Sequence, residues 1–515
     1  MNEADVVIIG AGHNGLVCAL LLAKAGLSVH VLEDKPVVGG ACRTERPFAK
    51  APDLGVSTGA YLLGLMPPEL LEKLDIGLPL RKRDPHYFLP TTGEKYLLFG
   101  SNREATKSSF LRFFGEKDFA AHETMNEELA AIRDDIAPTW LKEPLSIEQT
   151  AEAFVRPALR KAFVDLCRGT VSEYLERFGF ESDLVKAMYA VTDGFSGLHG
   201  GWDTPGTGMN FLVHNMCRLP GADGTWMIVE GGMGTVTSTL AAACVAQGVR
   251  IETNRQVAEI DHTNGVTQGV VLRDGTRVRA KAVVCNADPF RMRALLGRDR
   301  LPESYNQRLD GYVKTGTTLK VNLALSGLPK FTCLPEDIGQ YGPTIHLLPQ
   351  EPDVLAAVKH AYDESEAGRL PDFPTIEWYV HTTIDGSLRD PQGRHNSALF
   401  VQWVPHTLVG TTWEAEEARY VSHLLSICDR FAPGTSELVV DTFTLTPPRI
   451  EAHFGITNGH IHHVDNAFGF ADRLPYRTPV SGSYSCSAGT HPAGSVIGAA
   501  GHNAAMAVLA DMGKA

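Results

Sequence analysis

The chain has 515 residues, too many for one ordinary hydrophobic core, so two interlocked domains are expected. It is 43% hydrophobic and 21% charged with a formal net charge of −13, a balance that argues against a nucleic-acid binder, which would carry a basic stripe. Nine scattered cysteines include no C-x-x-C pair, which argues against a zinc ribbon or a redox-active disulfide and suits a reducing compartment.

Met1 to Asp5 lead directly into a strand, without the basic and apolar regions of a secretory signal. The apolar stretch from Gly15 to Leu32 contains Lys24, Gly26 and a change of period, so it reads as a helix followed by a strand rather than a membrane span. The expected location is the cytoplasm, with peripheral contact at a membrane as a further option. The short basic run Arg81-Lys82-Arg83 reads as a solvated loop rather than a phosphate patch.

Val6-Val7-Ile8-Ile9 is a continuous apolar run, as in a parallel strand buried on both faces. It meets G-A-G-H-N-G, in which Gly10, Gly12 and Gly15 have G-x-G-x-x-G spacing and Ala11 and Asn14 complete the loop. Leu16, Ala19, Leu20 and Ala23 then repeat at helical spacing, and Val29 to Leu32 form a second strand ending at Glu33. Such a unit brings backbone and a helix N-terminus to a pyrophosphate, while the acid receives ribose hydroxyls. Gly39, Gly40 and Arg43 follow closely: two glycines allow a second close approach and the arginine adds charge. Cys42 between them reads as a small packing residue.

Together, V-x-I-I-G-A-G, V-L-E-D and G-G-A-C-R-T resemble the amine oxidase and phytoene desaturase superfamily of FAD enzymes. The resemblance implies non-covalent FAD and a Rossmann-type α/β FAD-binding domain, glutathione reductase-like, interleaved with an α+β substrate domain. That second domain should hold a mixed or antiparallel sheet and a helical cap.

Farther along, Gly231, Gly232 and Gly234 lack the third glycine of a second nucleotide loop and read as a helix start packing on the first domain. Strands at Arg250 to Thr253 and Val257 to Ile260 follow. Turns at Gly265 and Gly275 bracket Val270 to Leu272, and Ala282 to Ala287 closes the unit. The resemblance implies that Val257 offers its backbone to the adenine. The terminal G-T-H-P-A-G, with Gly489, His491, Gly494 and then Val496, resembles the carotenoid desaturases. It lies nearest to the group of pyridine nucleotide-disulphide oxidoreductase domain-containing protein 2, and the resemblance places this turn at the flavin's pyrimidine side. The expected partition is FAD-binding parts at 1–100, 224–300 and 465–515, a helical insertion at 101–223, and a substrate domain at 301–464.

In the substrate half, helices are expected at Glu127 to Ile136, Ile147 to Cys167 and Glu414 to Phe431. Strands are expected at Thr318 to Leu325, Ile376 to His381, Ala398 to Val404 and Leu438 to Phe443, forming a pocket floor opposite the flavin. His491, His502 and His463 are the catalytic candidates, His463 by resemblance; for the first two, local hydrogen bonding at a helix start is the competing reading. His214 could face the cavity or be a structural histidine. His460, His462 and His463 lack the spacing of metal ligands, so no metal is expected.

Three functions compete. The first is a desaturase-like or isomerase-like enzyme of an apolar small molecule. The second is an oxidase of an amine or other small molecule, with an aromatic cage drawn from Trp378, Tyr379, Trp403 and Tyr484. The third is a non-catalytic flavoprotein partner. The G-T-H-P-x-G motif favours the first.

Overall fold

The computed structural model describes residues 3–222 and 224–514; Met1 and Asn2, at the start of the expected lead into the first strand, lie outside the described residues. The chain opens with β1 (Glu3–Ile9), α1 (His13–Lys24) and β2 (Val29–Leu32), paired in parallel from Val6 opposite Val29 to Ile9 opposite Leu32. The apolar run of β1 is buried along Val6, Val7 and Ile8, because it is the middle strand of a sheet covered on both faces.

A hairpin follows, β3 (Tyr87–Pro90) and β4 (Tyr96–Phe99), and then a helical block that includes α2 (Glu116–Ile136) and α3 (Thr207–His214). The single helix expected from Ile147 to Cys167 is broken into Ile147–Phe154 and Arg160–Arg168. Pro157 lies between them, and a proline disfavours helical backbone at the residue before it.

The chain returns through α4 (Gly234–Ala246), β5 (Arg250–Glu252), β6 (Val257–Thr263), β7 (Val266–Leu272) and β8 (Arg277–Cys285). It then builds β9 (Thr318–Leu325), β10 (Thr344–Leu347), β11 (Thr375–Tyr379), β12 (His395–Gln402), α5 (Trp413–Phe431) and β13 (Val439–Leu445). Last come β14 (Ser483–Ser485) and α6 (Ala499–Asp511).

Two seven-stranded sheets result. The first has the order β6-β7-β8-β1-β2-β5, with β14 beside β8; the second has the order β13-β9-β12-β11-β10-β3-β4. The hairpin β3–β4 therefore belongs to the second sheet, through Tyr87 opposite Thr344, although its position within 1–100 assigned it to the first domain. Its partner strand lies far along the chain, so no local pattern marks the pairing. The fold is thus an α/β dinucleotide-binding domain interleaved with an α+β domain and a helical cap.

Helices α1, α4 and α6 share one core, where Leu16 and Leu20 meet Val236, Leu240, Ala504 and Val508. The α1–α6 crossing is close: a Cβ added at Gly501 would sit 2.2 Å from the carbonyl oxygen of Asn14. Replacing Gly501 with Val should therefore cost about 2 kcal/mol or more. This would be read as a lower urea midpoint at unchanged slope, whereas an unchanged midpoint would contradict so close a crossing.

Candidate active site

Strand β1 delivers the chain to the glycine turn, and the Gly10 N–H donates to Leu32 O at 2.8 Å. Helix α1 then begins with Gly12 as N-cap and no side-chain cap, leaving first-turn N–H groups for an outside acceptor. A cavity of ≈ 490 Å³ opens at this helix end. Gly10, Gly12, Asn14, Glu33, Gly39, Gly40 and Arg43 line it, as do Val257 and Val496 farther along the chain. Ala11 and Gly15 support the turn from behind: a Cβ on Gly15 would sit 2.3 Å from Gly10 O. Ala11 N–H donates to Glu33 Oε2 at 2.7 Å and Lys35 N–H to Oε1 at 2.9 Å. Glu33 thus ties down the glycine turn while each oxygen keeps lone-pair capacity for a ligand.

Several polar atoms along this wall have no partner among the described residues: His13 Nε2, Asn14 Oδ1 and His463 Nδ1. Burial, the largest cause, lowers both His13 and His463 to about 4, so both rings are neutral near pH 7. Arg43 lies over the Phe454 ring at 5.1 Å, with its Nε 3.3 Å from Glu45 Oε2. A Cβ on Gly12 would come 2.7 Å from Asn286 Nδ2, so this wall has room for backbone only. An uncapped helix end, unpaired donors and acceptors, and a cationic side chain fit a phosphorylated dinucleotide.

The far end of the cavity is built differently. Strand alternation sends Leu319, Val321, Leu399, Val401, Ile376 and Trp378 into a core with α5. The other face carries Lys320 and Asn322 on β9, Phe400 on β12, and Glu377 and Tyr379 on β11, all buried. Lys320 and Glu377 both register opposite Phe400, one from each side. The Lys320 ammonium sits 4.0 Å from the Tyr61 ring centre and 4.3 Å from that of Phe400. These contacts offset part of its desolvation, each by about 1–2 kcal/mol. Burial still draws Lys320 down to about 7 and pushes Glu377 up to about 8. Glu377 Oε2 accepts the Tyr379 hydroxyl, and the buried Oε1 has no hydrogen-bond partner among the described residues.

Behind this floor, burial raises Asp193 to about 7, and its Oδ2 accepts the Tyr87 hydroxyl at 3.2 Å. Arg83, expected in a solvated loop, is buried instead. It donates to Trp226 O and Thr344 Oγ1, both at 2.9 Å, because β3 carries its segment beneath the second sheet.

Several sequence candidates lie elsewhere. His491 is buried but absent from the cavity wall: its Nε2 donates to Thr139 O at 3.1 Å, and its ring packs on Phe470. His502 points from α6 toward Lys73, with Nε2 3.0 Å from the ammonium nitrogen, and its Nδ1 bonds to Asn503 Oδ1. Both take the local hydrogen-bonding role, because their backbone turns direct the rings away from the cavity. Gly489 and Gly494 are packing positions; a Cβ on Gly494 would lie 2.4 Å from His462 Cα. His463 and His214 do line the cavity.

The histidine run splits: His460 faces Asp465 at 3.3 Å and His462 Nε2 donates to Ser196 O at 3.0 Å. Of the aromatic candidates only Tyr379 reaches the wall. The Trp378 indole N–H donates to Ser397 Oγ, that of Trp403 to Gly200 O, and the Tyr484 hydroxyl to Asp511. Cys42 is buried with its thiol on Met233 O, and it also borders the cavity. Among the described residues no helix is long and apolar enough to cross a membrane.

A βαβ cradle whose cavity continues onto a second sheet defines a class, the two-domain flavin-dependent oxidoreductases. Residues 15–362 match the family model for flavin containing amine oxidoreductases, and the chain belongs to that family. It is 32% identical to the mouse (Mus musculus) pyridine nucleotide-disulfide oxidoreductase domain-containing protein 2, over 99% of this chain and 94% of that protein. It is 24% identical to hydroxyneurosporene desaturase of Cereibacter sphaeroides, over 98% of each. The solved structure of an oxidoreductase from Methanosarcina mazei shares the fold, with a TM-score of 0.62 at 18% identity over 99% of this chain and 100% of that one. The chain is an oxidoreductase with FAD as its cofactor.

Sequence reasoning missed Lys320, Glu377, Tyr61, Asn286 and Asp193. A signal existed for Lys320, a charged residue in the middle of the apolar strand T-L-K-V-N-L-A-L. The folded value of Asp193, about 7, lies above its ordinary 3.8. Between those values the folded state keeps a proton that the unfolded chain has lost, so stability falls as pH rises through that window. Replacing Asp193 with Asn should make that fall shallower, by up to about 1.4 kcal/mol per pH unit. Urea midpoints at pH 5 and pH 7 measure it, and identical slopes in the two proteins would contradict the shift.

Proposed function

We propose that this chain dehydrogenates a small substrate bearing a polar group, held between the ring end of non-covalently bound FAD and the floor of the second sheet. The observation that carries this reading is the floor itself, where Lys320, Glu377 and Tyr379 line the cavity from the two strands that flank β12. In this reading Gly10, Gly12 and the N-terminus of α1 receive the pyrophosphate, with Arg43 beside it. Glu33 and Val257 border the adenosine. His463, Gly59 and Val496 border the flavin ring. Bound there, FAD supplies the hydride acceptor. The protein's residues then have to orient a C–H bond and keep water out.

The desaturase relative favours a second reading, a long apolar substrate. Against it stands the cost of covering Lys320 and Glu377 with hydrocarbon, about 1–3 kcal/mol for each buried polar group left unpaired and more for a charged one. A small polar substrate supplies partners instead. The two readings separate under anaerobic conditions, when the FAD-loaded protein is mixed with small amines, amino acids and hydroxy acids, or with phytoene in detergent. Bleaching of the flavin band by a member of the polar panel is the expected result; bleaching by phytoene alone would reverse the choice. In addition, Gly12→Val should purify without yellow colour yet remain folded. A variant retaining stoichiometric FAD would refute the placement of the pyrophosphate.

A further inference from the structure

The cap contributes Thr192 and Ser196 to the cavity wall, from a π-helical turn, Ala190–Phe195, and the residue after it. The Thr192 hydroxyl meets His346 Nε2, on β10 opposite Glu377, which sets this wall against the floor. The last carbonyls of any helix lack partners within it, and π-helical turns are rare and recur at functional sites. Here side chains from other segments meet those carbonyls. Asn210 Nδ2, on α3, lies 3.2 Å from Asp193 O, 3.1 Å from Gly194 O and 3.2 Å from Ser196 O. Gln402 Nε2 donates to Phe195 O at 2.9 Å, and His462 Nε2 to Ser196 O at 3.0 Å.

Asn210 is held in turn from its other side, where its Oδ1 accepts from Asn466 Nδ2 at 3.1 Å. Asn466 clips the backbone of Gly494 in both directions. Its Nδ2 donates to Gly494 O at 3.1 Å, and Gly494 N–H donates to its Oδ1 at 2.8 Å. Arg473 Nη1 also donates to that oxygen at 3.3 Å, so its neighbours fix which way the Asn466 amide points. Gly494 directly precedes Ser495 and Val496, which line the cavity. Both asparagines are fully buried, and both stand behind the wall rather than in it.

We propose that Asn210 and Asn466 are a positioning pair that ties the turn at Gly494–Val496 to the cap wall at Thr192–Ser196, so that FAD binding sets the shape of the substrate's space. The proposal rests on the placement of the flavin ring beside Val496 and of the substrate above the floor. The connection is short, since three successive hydrogen bonds join Gly494, Asn466, Asn210 and Ser196. Neighbouring residues of the same loop reinforce it. Asp465 Oδ2 accepts the His199 N–H at 2.9 Å, and Gly494 packs so closely on His462 that a Cβ there would lie 2.4 Å from its Cα. A shift of the turn is therefore passed to the cap through the loop that carries His462 and Asn466. Leaving one buried amide half-paired is costly, so the bonds of such a network hold or fail together.

The test begins with the parent protein, whose backbone hydrogen exchange is compared free of cofactor, with ADP and with FAD. ADP carries phosphates but no flavin ring. Both ligands should slow exchange in the peptide spanning Gly10 to Gly15. Only FAD should slow it in the peptides spanning 193–200 and 489–497, by about tenfold or more. In the FAD-loaded variants Asn466→Leu and Asn210→Leu, 193–200 should exchange as it does without cofactor, while the Gly10 to Gly15 peptide stays protected. Each substitution should weaken FAD, measured by its fluorescence on release, about tenfold, and the double variant by no more than about threefold beyond the weaker single. Unchanged FAD affinity in Asn210→Leu, or single effects that multiply in the double variant, would overturn the pairing. If the variants fail to fold, the parent still decides: FAD that protects Gly10 to Gly15 and 489–497 but leaves 193–200 unchanged would overturn this inference alone. FAD that protects neither Gly10 to Gly15 nor 489–497 would overturn the placement of the cofactor on which it rests.

Discussion

The central strands of the second sheet are buried on both sides, but only one side is apolar. Leu319, Val321, Leu399, Val401 and Trp378 enter the core with α5. The residues between them, Lys320, Asn322, Phe400, Glu377 and Tyr379, face the other way. Such a face can be stable only if its polar groups find partners, because an unpaired buried group costs free energy. The sheet solves this in part, with Tyr379 on Glu377 and two rings around Lys320. Lys320, Glu377 and Tyr379 line the cavity from this face.

The first sheet meets a different constraint at the other end of the same cavity. There, backbone supplies most of the polarity, through an uncapped helix start and a glycine turn braced by Glu33. The cavity therefore joins a backbone-built end, fitted to phosphates, to a side-chain-built end. Residues from both ends of the chain enclose it, since Gly59 to Leu62 and Ser495 to Val496 line it together. Arg473 reinforces this closure from outside the cavity, with its guanidinium donating to Thr490 O, Val464 O and Ala488 O around the loop that carries His463.

The backbone-built end was legible because its geometry is local. G-x-G-x-x-G, the flanking strands and Glu33 lie within one short stretch, and each residue's role follows from its neighbours. The side-chain-built end was not legible in this way. Tyr61, Lys320, Glu377 and Phe400 become neighbours only through strand pairing between remote segments, and the β3–β4 hairpin joins its sheet by the same nonlocal route. His491 shows the converse error: proximity in sequence to a glycine-rich turn did not fix the direction of its ring, which turns toward Thr139. Val29 to Leu32 was readable as a strand, while the polarity of β9 and β11 was readable as a cavity face only after their partners were known.

The most direct test of the whole account is a crystal structure of the FAD-loaded protein. The account predicts the pyrophosphate against Gly12 and His13, and the flavin ring between Tyr61 and Val496. The floor formed by Lys320 and Glu377 should stay uncovered by the cofactor and free for the substrate. A flavin ring at the Arg255–Val257 end of the cavity, or a floor covered by the cofactor itself, would contradict it.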